Sequence, residues 1–432
     1  MMKGIASALA LSFAIPLNAQ PAAPVAAAQS DAAVEAKLSA KAEEAVAVLR
    51  GERPAAEVFS PAFLAQVSAS QLEQVTQQLI ASYGPLIGVE EVTSTAPYSA
   101  EIALRFEKAM GHGTLALSPE APHLVNGLLL QRFEAIDDSV AKVRSELEAL
   151  PGEVNAWFGP LDGSRPVLAL NADQPLALGS TFKLYVLSAL ARSIADGEHR
   201  WDEVVPLAAK SYPSGVMQNW PEGAPVTLHT LAALMLQVSD NTATDQLIAI
   251  LGRERIEEEL RRTNAHAAFS LPFLTTRELF TIKADPRLRA HYAAAGEAER
   301  RRILQSLPTE NTPLAEVGSA FAGNPLEIER IEWFASPSSL SRLLAALTQP
   351  QFAEARKLLT ANRNLANEVA AEWQFAGYKG GSEPGVLNLT WLLQDKDGRW
   401  HMLTAGWNNP AAPVDTATFD ALAKRLLALH RQ

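Results

Sequence analysis

Strand-like segments in the later part of this chain sit at its two ends. "EVNAWFGPL" and "RPVLALN" come shortly after residue 150, whereas "WQFAGYKGG", "GVLNLTWLLQD" and "RWHMLTAGWNN" come only after residue 370. The long stretch between them reads as mostly helical. Strands bury a face only by pairing, so a chain with this order must bring its ends together into one sheet and cover that sheet with helices. An amphipathic helix, "IDDSVAKVRSELEAL", opens the region and another, "TATFDALAKRLLALH", closes it. The expected fold class is therefore α+β for a domain spanning 136–432.

A second, smaller domain is expected over 35–134. Helical periodicity runs through "VEAKLSAKAEEAVAVLR", then "SPAFLAQV" with Ser60 as N-cap and Pro61 at the first helical position, then "SQLEQVTQQLIASYG" closed by Gly84. Four strand-like runs follow: "IGVEEVTSTA", "YSAEIALRFEKA", "HGTLALSP" and "HLVNGLLLQRFE". Helices followed by an antiparallel meander resemble the NTF2-like or steroid-isomerase-like cone fold in element order. His112, between two glycines, reads as a turn histidine rather than a pocket acid or base.

Ahead of both domains, Lys3, the apolar run "GIASALALSFAIPL" and the small residues of "NAQPAA" read as an export signal over 1–19, with cleavage after Ala19. That run is shorter than the roughly 20 residues a membrane-spanning helix needs, so no stable membrane insertion is expected. The Ala/Pro-rich stretch over 20–34 reads as a linker. The chain has no cysteine, which excludes disulfides, a thiol nucleophile and thiolate metal sites, and export without disulfides fits a bacterial periplasm. A net charge of −11 argues against nucleic acid, whose phosphates call for clustered Lys and Arg. The eight histidines lack metal-binding spacing, Gly-rich phosphate loops are absent, and no cofactor is implied.

The chemistry-bearing stretch is "GSTFKLYV", where Ser180 precedes Lys183 by three positions at the start of an apolar helix. Positions i and i+3 share a helix face, so the Lys183 amine can reach the Ser180 hydroxyl, and the free N–H groups of a helix start favour an oxyanion. Alone the pair says little, because Ser139 and Lys142 repeat the spacing inside "DDSVAKV". Two further stretches add weight: Ser239-Asp240-Asn241 after the apolar run "LHTLAALMLQ", and Lys379-Gly380-Gly381 on a late strand.

In that order, Ser-x-x-Lys, Ser-Asp-Asn and a Lys-Thr-Gly-like triplet resemble the class A β-lactamases and penicillin-binding proteins. The resemblance extends to "VTLHTLAALMLQVSDNTATDQLI" and "ASPSSLSRLLAAL" and covers most of 136–432. It implies that Ser180 is the nucleophile and Lys183 its base, with the ammonium disfavoured by burial beside Lys379. It further implies that Ser239 passes a proton to the leaving nitrogen, Asn241 orients Lys183 and the substrate amide, and Lys379 attracts the substrate carboxylate. The N–H groups of Ser180 and Ser382, the latter just after Gly381, would form the oxyanion hole, and Tyr212 and Trp220 are candidates for the cleft wall.

Two departures stand out. Gly380 replaces the family's Thr or Ser, and the Glu-x-x-Leu-Asn stretch whose Glu activates the deacylating water is missing. The region reads "LPFLTTRELFTIKADP", in which Glu278 is a possible substitute, an ion pair with an Arg the competing reading, and Thr275 or Thr276 an alternative occupant. A helical stretch over about 285–330 looks inserted. The implied function is an exported serine hydrolase of class A β-lactamase type, acylated at Ser180 by a small-molecule β-lactam, peptide or ester. A D-Ala-D-Ala peptidase or esterase, and a slowly acylated sensor, are the alternatives.

Overall fold

A computed structural model describes residues 31–136, 138–308 and 313–429. The expected export signal, and the expected linker up to residue 30, lie outside those residues. The chain divides into two units, Met1–Asp138 and Ser139–Gln432.

In the first unit, helix α1 (Asp31–Leu49) begins inside the stretch that composition assigns to the linker. Val34, Leu38, Ala42 and Ala45 recur at helical spacing and are all buried, which makes one apolar stripe. Two short turns follow, Ala55–Val58 and Pro61–Gln66, the second capped by the Ser60 hydroxyl. Helix α2 (Ala69–Tyr83) starts with a reciprocal Ser68–Gln71 cap and stops at Gly84, whose φ of +78° only glycine adopts readily. Strands β1 (Leu86–Ala96), β2 (Ser99–Phe106), β3 (Ala109–Leu117) and β4 (Val125–Ala135) then form an antiparallel meander. Leu38 and Val46 of α1 share a core with Ile102, Leu104 and Leu115. His112 lies within β3, not in a turn, with Nε2 3.4 Å from a Glu134 carboxylate oxygen.

The second unit opens with α3 (Val140–Glu148). Ser139 is its N-cap and accepts the Lys142 N–H, so the second Ser-x-x-Lys is a capping device rather than a pair within the helix. Strands β5 (Glu153–Pro160) and β6 (Leu168–Leu170) precede α4 (Lys183–Ala195), α5 (Leu228–Gln237), α6 (Asn241–Leu251), α7 (Arg253–Thr263) and α8 (Thr276–Ala284). The stretch read as inserted holds α9 (Pro286–Ala294), α10 (Glu297–Ser306) and α11 (Leu314–Ala320). After α12 (Pro337–Leu347) come β7 (Phe375–Glu383), β8 (Val386–Gln394), β9 (Trp400–Asn408) and α13 (Thr416–Ala428).

The sheet order is β7-β8-β9-β5-β6, antiparallel throughout, so strands from both ends of the unit meet at β9 and β5. Eight consecutive residues of β8 are buried, because helices cover both faces. On one face Val143 and Leu147 of α3 and Phe419, Leu422 and Leu426 of α13 pack on Phe158, Leu389, Trp391 and Leu403. On the other, Leu392 and Met402 join the core of the helical middle. Strand β7 is left at the edge nearest the Ser180 turn.

Candidate active site

Ser180 stands in one turn of 3-10 helix, Gly179–Phe182, that runs directly into α4. Glycine at two positions seats this turn. Gly179 has φ +49°, and a Cβ there would lie 2.7 Å from Ser382 N. A Cβ on Gly381 would lie 2.3 Å from Ser180 N and 2.2 Å from Leu178 O. The turn and edge strand β7 therefore touch main chain to main chain, which sets the Ser180 and Ser382 amides beside each other. The stack of Phe182 on Trp333, ring centroids 3.6 Å apart, holds the turn from its other side.

Lys183 is fully buried. The i, i+3 spacing predicts a contact with Ser180; in the structure the Lys183 amine is instead held at the α5–α6 junction. Nζ donates to Ser239 O (2.5 Å) and Asn241 Oδ1 (2.7 Å) and lies 3.0 Å from Ser239 Oγ. Ser180 Oγ, half-buried, makes no hydrogen bond to the described residues. From β7, Lys379 Nζ lies 3.1 Å from the same Ser239 Oγ and donates to Gly380 O. Two lysines thus converge on one serine hydroxyl.

Burial, and then the neighbouring Lys379, push the Lys183 amine well below its ordinary range, against the pull of Asp245 and Asp240. Burial alone brings Lys379 down to about 7. Two ammonium groups this close and this dry disfavour each other, which favours the free amine, a proton acceptor. Ser239 itself has φ +55°, a conformation uncommon for a non-glycine residue. It is fixed by Asp240 N donating to Leu234 O and Ser214 Oγ donating to Ser239 O.

The sequence profile described as "Beta-lactamase enzyme family" matches residues 138–427. The chain belongs to this family of serine hydrolases. No curated protein matches it. Similar solved structures include a β-lactamase from Sphaerobacter thermophilus, 20% identical over 68% of this chain and 95% of that one, with a TM-score of 0.45. A β-lactamase from Desulfarculus baarsii is 18% identical over 67% and 95%, with a TM-score of 0.46. A mutant of PBP-A, solved as an acyl-enzyme complex with penicillin G, is 15% identical over 67% and 95%, with a TM-score of 0.45.

Within the β-lactamase family motif set, the Ser-Asp-Asn aspartate is structural here. Asp240 caps α6 through Ala243 N, and its other oxygen takes the N–H groups of Val216 and Met217. The Glu278 expectation is corrected. Its carboxylate is held by Arg253, with Nη2 to Oε1 at 2.5 Å and Nη1 to Oε2 at 3.1 Å, and it closes a cap with Thr275 N at the start of α8. The competing ion-pair reading describes it. The residue that borders the Lys183 cluster is Thr276: its Oγ1 lies 3.4 Å from Asn241 O. Counting back from Leu279, Thr276-Arg277-Glu278-Leu279-Phe280 puts Thr276 where the β-lactamase motif has its Glu and Phe280 where it has its Asn.

Tyr212 is also corrected. It is 4% exposed with its ring edge-on to Phe280, so it belongs to the packing under the loop rather than to an open cleft wall. Trp220 is half-buried and packs on the helical core. At Gly380 the space that a side chain would fill is taken: a Cβ would lie 2.0 Å from the Tyr378 hydroxyl.

Sequence reasoning missed two groups of residues. Asp245, 5% exposed, accepts Thr276 N (2.7 Å), Thr276 Oγ1 (2.8 Å) and Arg277 N (2.8 Å), and burial pushes its carboxyl up to about 6. The signal was present, since Asp245 lies four residues after Asn241 on the same helical face. The other group is a buried cluster at the end of α8, where Lys283 Nζ meets Glu332 (3.0 Å) and Glu383, the residue after Ser382. Glu332 lies between the second and third motifs in an irregular segment, and no local pattern marks it.

Proposed function

We propose that this protein is an exported, periplasmic serine hydrolase acylated at Ser180 by β-lactams or related amides and esters, and that it releases the acyl group slowly. The observation that carries the reading is the convergence of Lys183 and Lys379 on Ser239 Oγ, Lys183 standing one helical turn after a Ser180 hydroxyl that has no hydrogen bond to the described residues. Ser180 Oγ attacks the carbonyl carbon and its proton passes to the free amine of Lys183. The N–H groups of Ser180 and Ser382 stabilise the developing oxyanion. Ser239 then relays a proton from Lys183 to the leaving nitrogen, while Lys379 holds the substrate carboxylate. Asn241, bonded to Lys183, orients the amine.

Slow release is supported by Thr276 standing where the family motif has its water-activating Glu, a general base worth typically 10² to 10⁴ in rate. This favours a penicillin-binding peptidase or a sensor over a fast β-lactamase. The first unit, helices followed by a four-stranded meander, supports an NTF2-like reading of that domain. Mixing with penicillin and measuring intact mass tests the proposal: wild type should carry an adduct that clears slowly, Ser180→Ala none at unchanged melting temperature, and Ser139→Ala the same adduct as wild type. An adduct on Ser180→Ala would refute it.

A further inference from the structure

We propose that Thr276 and Asp245 together activate the water that releases the acyl group, the Thr276 hydroxyl contacting the water and the Asp245 carboxylate taking a proton through it. The proposal rests on acylation at Ser180. Of the side chains on the first turn of α8, Glu278 faces Arg253, whereas Thr276, 2% exposed, lies against Asn241, whose Oδ1 binds Lys183. The Thr276 hydroxyl donates to Asp245 Oδ1 at 2.8 Å, leaving its own oxygen to accept. Ser211 Oγ lies 2.7 Å from Thr276 Oγ1, which extends the chain of hydroxyls toward the loop that also carries Ser214, a partner of Ser239 O.

Asp245 has the setting of a base. It is buried and, among the described residues, makes no salt-bridge contact with a Lys, Arg or His, Lys183 acting on it only through the field. Its oxygens are met by two main-chain amides and a hydroxyl, and burial places its titration near neutrality, where a general base works best. The charged groups around it are Lys183 on α4 and, along an open cleft of ≈ 620 Å³ that Asp245 itself lines, Lys210, Glu222, Arg277 and the mutually paired Arg253 and Glu278. On its own helix Asp240 is occupied by three amides.

In the step, the water oxygen bonds to the ester carbon while one water proton moves to Thr276 Oγ1 and the Thr276 proton moves to Asp245 Oδ1. On collapse the bond from the ester carbon to Ser180 Oγ breaks. The proton held by Asp245 returns through the same hydroxyl to Ser180 Oγ, leaving the free acid.

The experiment preloads the full-length protein with benzylpenicillin, removes the excess, and follows loss of the adduct by intact mass between pH 4.5 and 8. Wild-type release should rise with pH through a midpoint near 6. Thr276→Val and Asp245→Asn should acylate normally yet release about 10²-fold more slowly with no midpoint. Thr276→Ser should restore both, and Glu278→Gln should leave the midpoint in place. A purely structural role for the pair would not move the midpoint. Release that is flat with pH in wild type, absent in wild type, or of wild-type rate in both Thr276→Val and Asp245→Asn overturns the proposal. Failure of wild type to form any adduct overturns instead the acylation reading on which it stands, and this step with it. Should a variant not fold, the wild-type profile and Thr276→Ser still decide.

Discussion

Gly381→Ala places one methyl group where the Ser180 turn meets β7. The new carbon would sit 2.2, 2.3 and 2.5 Å from Leu178 O, Ser180 N and Thr181 N, against 3.4 Å or more for an ordinary contact. Relief needs about 1 Å of movement, and every crowded atom is main chain, so no rotamer change supplies it. Strand β7 is held to β8 along its whole length and the turn is pinned by Phe182 on Trp333. The displacement therefore falls on the separation of the Ser180 and Ser382 amides. Losing one oxyanion donor costs 10² to 10³ in rate, so acylation should fall about 10²-fold, or roughly 2.7 kcal/mol of barrier. The assay is the second-order rate of labelling by a fluorescent penicillin, with thermal melting alongside. Gly318→Ala, in open space on α11, is the control and should label normally. Labelling of Gly381→Ala within threefold of wild type, in a protein of unchanged stability, would refute the assignment of these amides.

Lys283→Met should destabilise the second unit by about 3–5 kcal/mol at pH 7, because it leaves the buried Glu332 and Glu383 without their cation. Burial and Glu332 already hold the Glu383 carboxyl well above its ordinary range, so the native state binds protons more readily than the unfolded chain. Stability lost by the variant should return as pH falls through that raised value toward the ordinary carboxylate range, which urea titrations at pH 5 and 8 would test. Lys379 titrates near 7, and its ammonium is the proposed anchor for a carboxylate. As pH rises through 7, the acylation rate with a penicillin should decline relative to that with an uncharged ester, and a constant ratio would remove Lys379 from substrate recognition. Gly380→Ser should lower the melting temperature by a few degrees, since its Cβ meets the Tyr378 hydroxyl, and Tyr378→Leu in the same chain should recover most of the loss.

What the sequence makes legible here is local pattern and motif order. The cap at Ser60 and the helix stop at Gly84 are short-range hydrogen-bond chemistry, and the strands at both ends of the second unit show as apolar runs. The convergence of Lys183, Ser239, Asn241 and Lys379 is anticipated because the three motifs, in their order, resemble the β-lactamase set. Glu278 misleads because a carboxylate in the expected region looks like a base until Arg253, from the preceding helix, is seen to hold it. Tyr212 misleads because its loop position suggests exposure, whereas Phe280 and the α11 segment behind it enclose the ring. Asp245 was marked only by its place four residues after Asn241, whereas the Lys283 cluster depends on which segments pack together, and periodicity within one helix does not encode that.

The sheet assembled from both ends of the unit also sets an order of events in time. Thr181 Oγ1 and Lys379 O, which meet across the Ser180 turn, are separated by 198 positions, and β5 has no partner for one of its edges until β9 exists. A chain emerging from synthesis therefore carries Ser180 through nearly half of its length without the amide of Ser382, the second lysine or a completed sheet. Closing so long a loop is slow and leaves an open strand edge meanwhile. The Ser180 turn, the Ser382 amide and Lys379 consequently come together all at once, with the last quarter of the chain.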